Sequence, residues 1–317
     1  MTYKNTILFL FIIVLGFSSC KKDDEETFIP APVRDRAEQQ ITDKDSLLNY
    51  LQTHYYNSSA FTTPGNYSYT SIIINELPRD EQGNYEDLPD PTNNTLLIDA
   101  VETLNILIDD VDYEYYVLRL NQGGGDNPNF TDDIRINYSG NFLDGEVFDN
   151  TVNADTPLDL TSVVRGWRDV LTNFNTAVGL VENPDGTSDF DNYGFGVMFL
   201  PSGLGYFASP PPGSGIPAYA NLVFKFELYQ SGVNDHDNDG ILSHLEDLNN
   251  NLDVFDDNTD GDTLPNFFDT DDDNDGVPTI FEDIDNDGDP SNDDTDGDGI
   301  PNYLDASSTQ SNQEEDN

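Results

Sequence analysis

Carboxylate side chains recur at alternate positions in four short segments near the C-terminal end of this 317-residue chain. Each segment carries a further acid at its twelfth position, and in three of the four a glycine follows the third alternate position. Oxygen atoms spaced in this way can converge on one hard cation, and calcium takes roughly 6–8 of them. We therefore predict four structural calcium loops, with the candidate ligands Asp235, Asp237, Asp239 and Glu246; Asn258, Asp260, Asp262 and Asp269; Asp271, Asp273, Asp275 and Glu282; and Asp294, Asp296, Asp298 and Asp305.

The four loops belong to one duplicated unit, because residues 235–270 align with residues 271–306 without a gap. Thr263 replaces the glycine of the second loop, which makes that loop the weakest candidate. Prolines stand at the eighth position of three loops and argue against the exiting helix of an EF-hand. The array instead resembles thrombospondin type 3 repeats, which implies a chain that wraps a row of calcium ions with almost no apolar core.

The alternative for this region is an acidic disordered tail. Two carboxylates about 4 Å apart repel by about 4 kcal/mol at an effective dielectric of 20, so a compact array needs cations. We expect residues 233–306 to order when calcium binds, and residues 307–317 to be disordered.

A second group of residues lies between Asn137 and Trp167, where unlike side chains stand at fixed offsets. The segments read N-Y-S-G-N, then D-G-E-V-F-D, then V-V-R-G-W. This set resembles the FKBP-type peptidyl-prolyl isomerases, and the resemblance extends over roughly residues 112–229. It implies isomerisation of prolyl bonds in proline-containing polypeptides, without a cofactor.

The resemblance also implies a role for each matching residue. Trp167 stands at the indole floor beneath the substrate proline, and Asp149 at a buried carboxylate that is hydrogen-bonded to a wall tyrosine. Tyr206 stands where the family has a rim tyrosine that donates a hydrogen bond to the substrate backbone. The remaining wall, floor-side and rim positions are Tyr138, Phe148, Phe224, Val163, Val164 and Ile216.

Such a site needs no acid, base or nucleophile. The prolyl bond crosses a barrier of about 20 kcal/mol, and the twisted amide is less polar than the planar one. An apolar pocket therefore favours the twisted form. The departures from the family are a smaller wall at Leu158, an insertion at residues 173–192 and a proline-rich loop at residues 209–215. The insertion and the smaller wall favour the alternative of a non-catalytic peptide-binding module or a calcium-stiffened cell-surface protein.

The elements that must position these residues follow from hydrophobic patterning. Alternating runs predict strands at residues 112–121, 132–138, 194–201 and 220–229, with a short helix around Trp167. Residues 95–108 fit helix or strand. The predicted fold class is α+β, an antiparallel sheet wrapped around a short helix at residues 111–230, followed by the irregular repeat region. Residues 46–110 form an N-terminal extension that starts with a helix capped near Asp45.

The N-terminal end has the layout of an export signal. Lys4 precedes a short apolar run, and small residues lead to Cys20. This pattern resembles a bacterial lipoprotein signal, which implies cleavage after residue 19 and a lipid on Cys20. Charged residues and prolines with few large apolar side chains predict a solvated tether over residues 20–45. A plain secretory peptide or an uncleaved anchor is the alternative. The predicted location is the outer membrane of a Gram-negative cell envelope, on its periplasmic or surface face.

The net charge of −50, from 62 acidic and 12 basic residues, is concentrated in the C-terminal region. From residue 233 onwards there are 28 acids and no lysine or arginine. Such a surface repels nucleic acid and anionic lipid, so membrane attachment is expected through lipidated Cys20 alone.

Overall fold

An antiparallel sheet dominates the computed structural model, which describes residues 32–63, 65–186 and 188–313. Cys20 and the predicted leader lie outside the described residues. The described residues from Arg34 onwards form one compact unit. The strands are β1 (His54–Tyr56), β2 (Ile74–Glu76), β3 (Thr95–Leu96), β4 (Glu102–Ile108), β5 (Val111–Asn121), β6 (Asp133–Asn141), β7 (Val147–Thr151), β8 (Leu158–Asp159), β9 (Gly179–Glu182), β10 (Ser188–Asp191), β11 (Gly194–Leu200) and β12 (Leu222–Gly232), and the helices are α1 (Arg36–Thr53) and α2 (Arg165–Leu171).

The main sheet has seven strands in the order β4-β5-β11-β12-β6-β7, with β8 paired to β6. Its neighbouring strands are antiparallel throughout. The short helix α2 packs on one face through Trp167, Val170 and Leu171. The prediction of an α+β fold with an antiparallel sheet and a helix against it is therefore confirmed.

Alternation along the strands divides the sheet into two buried faces. On β5, Tyr115 and Val117 face α2, while Tyr116 and Leu118 face the opposite side. There α1 covers the sheet through residues that include Leu47 and Leu51. Because both faces are covered, every residue of β11 is buried.

Helix α1 begins at Arg36, nine positions before the predicted cap at Asp45, so the predicted tether over residues 20–45 is wrong from Arg36 onwards. Asp35 caps the helix, and its Oδ1 accepts from the Glu38 backbone N–H at 3.0 Å. Charge and polarity suggested solvation of this segment, but Asp43 is buried against the sheet domain. Its carboxylate accepts from the backbone N–H and the hydroxyl of Ser202 at 2.9 and 2.6 Å.

Two ambiguous or irregular segments resolve into strands. Residues 95–108, which fitted helix or strand, form β3, a short 3-10 turn and the edge strand β4. The insertion at residues 173–192 carries the two-stranded hairpin β9–β10, with Val181 paired to Asp189.

The region after β12 contains no strand and no helix longer than a 3-10 turn among its described residues. Its apolar core is small, since Phe130, Val254 and Phe267 form a cluster of their own. The predicted disorder from residue 307 is wrong up to residue 313. Asn312 donates from its backbone N–H to the Phe281 carbonyl and from Nδ2 to the Asp283 carbonyl, both at 2.8 Å, which fastens this segment to the second repeat.

None of the described helices combines the length and the apolar character that spanning a membrane requires.

Candidate functional site

The centre of the first candidate site is Trp167, which α2 presses onto the sheet. The indole is 3 % exposed, and two aromatic rings stand edge-on to it: Tyr138 at 4.9 Å and Phe224 at 5.2 Å between ring centroids, both at 86°. The close approach of α2 requires Gly166, because a Cβ there would lie 2.6 Å from Leu200 Cδ1. The indole Nε1 is buried and has no hydrogen-bond partner among the described residues.

The wall of the site depends on a glycine between aromatic residues. Gly140 on β6 pairs with Phe224 on β12 and with Asp149 on β7. A Cβ at this position would lie 2.7 Å from Phe148, so its absence lets Phe148 stand edge-on to Phe224 at 5.6 Å. Phe142, which the sequence did not single out, packs against Phe148 with its ring tilted by 33° and the ring centroids 5.0 Å apart, and extends the wall.

The remaining predicted residues come to the same cluster. Val163 and Val164 precede and cap α2, and Tyr206 and Ile216 approach from the long connection between β11 and β12. Trp167, Phe224 and Ile216 are buried, whereas Tyr138, Phe148, Val163, Val164 and Tyr206 are partly exposed. The arrangement is an apolar floor under a partly accessible rim. Leu158, the smaller wall residue, packs on this cluster from β8.

A polar pair lies on the rim. The Tyr138 hydroxyl donates to Asp149 Oδ2 at 2.6 Å, as the resemblance implied. Burial and then this carboxylate raise the pKa of Tyr138, and burial and the same charge raise the pKa of Tyr206. The expectation of a buried carboxylate is wrong, because Asp149 is exposed. It stands on β7, the edge strand of the sheet, where no neighbouring strand covers it.

The second candidate site is the acidic array. The structure brings together the carboxylates of three predicted loops, each as a triad with oxygen atoms within 4.8 Å of one another: Asp235, Asp237 and Asp239; Asp260, Asp262 and Asp269; and Asp271, Asp273 and Asp275. In the fourth loop, the backbone N–H groups of Gly297 and Gly299 both donate to the Asp294 carboxylate, at 2.7 and 2.9 Å. Glycine is needed at these turns, with φ values of +79° and +97°.

Two of the predicted twelfth-position acids are buried without partners in the part of the chain that the structure describes, which is the clearest sign of a cation site in the array. Glu246 and Glu282 are buried, and neither carboxylate has a hydrogen-bond partner among the described residues. Burial, followed by the negative charges around them, raises the pKa of Glu246 to about 10 and that of Glu282 to about 8. Unpaired buried carboxylates are costly unless a cation joins them, so the donor set fits a hard divalent ion.

The structure adds acidic positions that the four-loop prediction missed. Asp283, Asp285 and Asp293 form a further triad within 4.8 Å. The signal was present in the sequence, since acids also alternate at residues 283, 285 and 287 before Gly288. Asp283 accepts from the backbone N–H groups of Asp287 and Gly288, and Asp247, its counterpart 36 positions earlier, makes the equivalent bonds to Asn251 and Leu252.

The array lies directly against the elements that carry the first site. Arg165, in the first turn of α2, extends its guanidinium to Asp253 Oδ2 at 3.3 Å and to the Asn251 carbonyl at 3.5 Å. His236 Nε2 lies 3.5 Å from Asp159 Oδ2 on β8.

Sequence comparison finds relatives for about a third of the chain. The chain is 31% identical over 113 residues to the FKBP-type 22 kDa peptidyl-prolyl cis-trans isomerase of Escherichia coli, covering 35% of this chain and 47% of that one. It is 36% identical over 117 residues to the peptidyl-prolyl cis-trans isomerase Mip of Coxiella burnetii, covering 36% and 43%. About a third of the chain is homologous to FKBP-type isomerases. The chain spans less than half the length of these relatives.

The family described as BamM C-terminal matches residues 236–288, within the acidic array. Among solved structures, a peptidyl-prolyl isomerase from Pseudomonas syringae is similar with a TM-score of 0.31 at 24% identity, over 42% of this chain and 81% of that one. FkpA from Escherichia coli is similar with a TM-score of 0.30 at 26% identity, over 40% and 51%.

Proposed function

We propose that the sheet domain is a peptidyl-prolyl cis-trans isomerase that acts on proline-containing polypeptides as a folding helper. The observation that carries the proposal is the Trp167 floor, which two edge-on aromatic rings frame, in a chain of which about a third is homologous to FKBP-type isomerases. A substrate proline would lie over the indole, bordered by Phe148, Val163 and Val164.

Catalysis at this site requires only that the twisted amide be stabilised more than the planar one. The floor and walls offer few polar groups, so they stabilise the twisted, less polar amide more than the planar one. Each 1.4 kcal/mol of that difference is worth about tenfold in rate. In this proposal the Tyr206 hydroxyl would donate to the substrate backbone, and the Tyr138–Asp149 hydrogen bond would hold the wall ring in place.

The test is a coupled proline-isomerisation assay on the full chain, with calcium present. We expect acceleration by the wild type and a loss of about tenfold or more for Trp167→Ala, because the floor is removed. Asp149→Ala should lower the rate too, whereas Asp144→Ala, in the exposed turn of the same hairpin, should leave it unchanged. No acceleration by the wild type would refute the proposal.

A second candidate function for the sheet domain is peptide binding without catalysis. The near-complete burial of Trp167 and the exposure of Asp149 favour it. It predicts that proline peptides bind and shift the Trp167 fluorescence while the isomerisation rate stays at its uncatalysed value. The two functions are therefore separated by one titration and one rate measurement on the same sample.

For the acidic array we propose calcium binding of the thrombospondin type 3 kind. The supporting observation is that the Glu246 and Glu282 carboxylates are buried without partners. Calcium titration followed by calorimetry and circular dichroism tests it. We expect calcium to order the array and sodium at matched ionic strength not to; equal effects of both ions would contradict calcium binding.

We further propose attachment to the cell envelope through a lipid on Cys20, most simply at the outer membrane. The support is the order of charged, apolar and small residues before this cysteine. Mass spectrometry of the N-terminal peptide from membrane fractions tests the attachment, with Cys20→Ser as the control that should release the protein from the membrane.

A further inference from the structure

We propose that Asp272 of the second repeat supplies a calcium ligand to the first repeat, so that the first cation site is shared between the two repeats. The inference rests on the proposed calcium function and names a ligand that the alternate spacing of the loops does not predict. Asp272 lies between two predicted ligands of its own loop, yet its carboxylate lies with Asp239 and Glu246, with oxygen atoms of all three within 4.8 Å.

Burial indicates that this cluster is built for a ligand. Asp239 and Asp272 are 1 % exposed and Glu246 is 0 % exposed. Both carboxylate oxygens of Asp272, both of Glu246 and Oδ2 of Asp239 have no hydrogen-bond partner among the described residues. Carboxylates on the surface are solvated by water, whereas these buried carboxylate oxygens lie next to one another's negative charge. A cation with many oxygen ligands is the group that resolves such a cluster, and calcium accepts more of them than magnesium does.

The repeat itself indicates that position 272 is special. The residue 36 positions earlier is His236, whose ring stands edge-on to Phe267 and Phe268, and the residue 36 positions later is Ser308, whose hydroxyl donates to Asn302. Neither counterpart is an acid. The first loop of the second repeat therefore carries one carboxylate more than duplication requires, and that carboxylate lies with the ligands of the preceding repeat.

The consequence is coupling between repeats. A cation held by Asp239, Glu246 and Asp272 fixes the backbone between Asp271 and Asp273. These two residues are predicted ligands of the third loop. Binding at the first site then prepares the third loop for its own cation, and by reciprocity binding at the third loop strengthens the first site. Removing Asp272 should both weaken one site and reduce the cooperativity.

The test compares Asp272→Ser, which installs the residue found at position 308, with Asp256→Ser, which removes the same charge from an exposed position in the array. In calorimetric calcium titrations of the full chain, Asp272→Ser should lose or weaken one site by about tenfold or more, since affinity follows the charge of the ligand set. Asp256→Ser should bind as the wild type does. Asp272→Asn, which keeps one oxygen, should lie in between.

Stability provides the second readout. In EDTA, where the array is expected to be unordered, Asp272→Ser should unfold at the wild-type temperature. In calcium it should unfold at a lower temperature than the wild type. A variant that is less stable in EDTA as well as in calcium, or one that binds calcium with wild-type affinity and cooperativity, overturns the shared site. A wild type that binds no calcium would instead refute the proposed calcium function.

Discussion

At the scale of single residues, the apolar site depends on two glycines as much as on its aromatic side chains. Both positions require the absence of a Cβ atom. A Cβ at Gly140 would lie under 3 Å from Phe148, and a Cβ at Gly166 would lie under 3 Å from Leu200. The room they leave sets the rings of Tyr138 and Phe224 edge-on to Trp167. The one strong polar contact on the rim joins Tyr138 to Asp149.

Tyr138→Phe tests that contact. Losing a hydrogen bond of this kind costs about 1 kcal/mol in free energy of unfolding, and we expect a severalfold loss of isomerisation rate because the wall ring is less well held. Denaturant unfolding and the proline assay measure the two effects. Tyr85→Phe is the matched control, since Tyr85 also donates to a carboxylate, Glu76, but does not belong to the cluster around the indole. Equal rate losses in both variants would contradict a role for the Tyr138–Asp149 bond.

At the scale of elements, α1 is an integral part of the sheet domain's packing. It covers the face opposite α2 and is fastened by a buried polar contact between Asp43 and Ser202. Burial raises the pKa of Asp43, while the bonds from Ser202 and Gln39 act in the opposite direction. Burial of the Asp43 carboxylate is tolerated because both of its oxygens accept hydrogen bonds, from Gln39 and from Ser202.

Asp43→Ala should lower the free energy of unfolding by about 2–4 kcal/mol, because the Ser202 N–H and hydroxyl and the Gln39 amide lose their acceptor inside the protein. Asp45→Ala, on the exposed side of the same helix, is the control and should change stability little. Urea unfolding of both variants measures the difference. If the two variants were equally stable, α1 would not be fastened through Asp43.

At the scale of the whole molecule, the acidic array and the apolar site share a boundary. Arg165 lies between Val164 and Trp167 in sequence, and its guanidinium contacts both Asp169 on α2 and Asp253 in the array. Arg165 thus connects α2, the helix that carries the indole, to the region proposed to bind calcium. Ordering of the array should be felt at α2.

We expect removal of calcium with EDTA to speed amide hydrogen exchange in α2 (Arg165–Leu171) more than in β4 and β5, which lie at the far edge of the sheet. Arg165→Ala should reduce this calcium effect, and Arg135→Ala, an exposed arginine on β6, should not. Exchange followed by mass spectrometry provides the measurement. A calcium effect spread evenly over the sheet would contradict transmission through Arg165.

The local chemistry was readable from the residues. Alternating apolar residues predicted the antiparallel strands, alternating acids predicted the loops, and the resemblance placed Tyr138 and Asp149 in one hydrogen bond. These features depend on neighbours a few positions apart, whose geometry backbone period and turn chemistry control. The prediction failed for α1, because the cost of burying Asp43 is offset by Ser202, which lies 159 positions away.

Only the folded chain decided which distant groups meet. The exposure of Asp149 follows from the edge position of β7, and the contact of Arg165 with Asp253 follows from how the array lies on α2. The most consequential case is Asp272, which is an ordinary acid in an acidic stretch of sequence. Its burial with Asp239 and Glu246 arises because two repeats pack against each other, and spacing within either repeat carries no information about that contact.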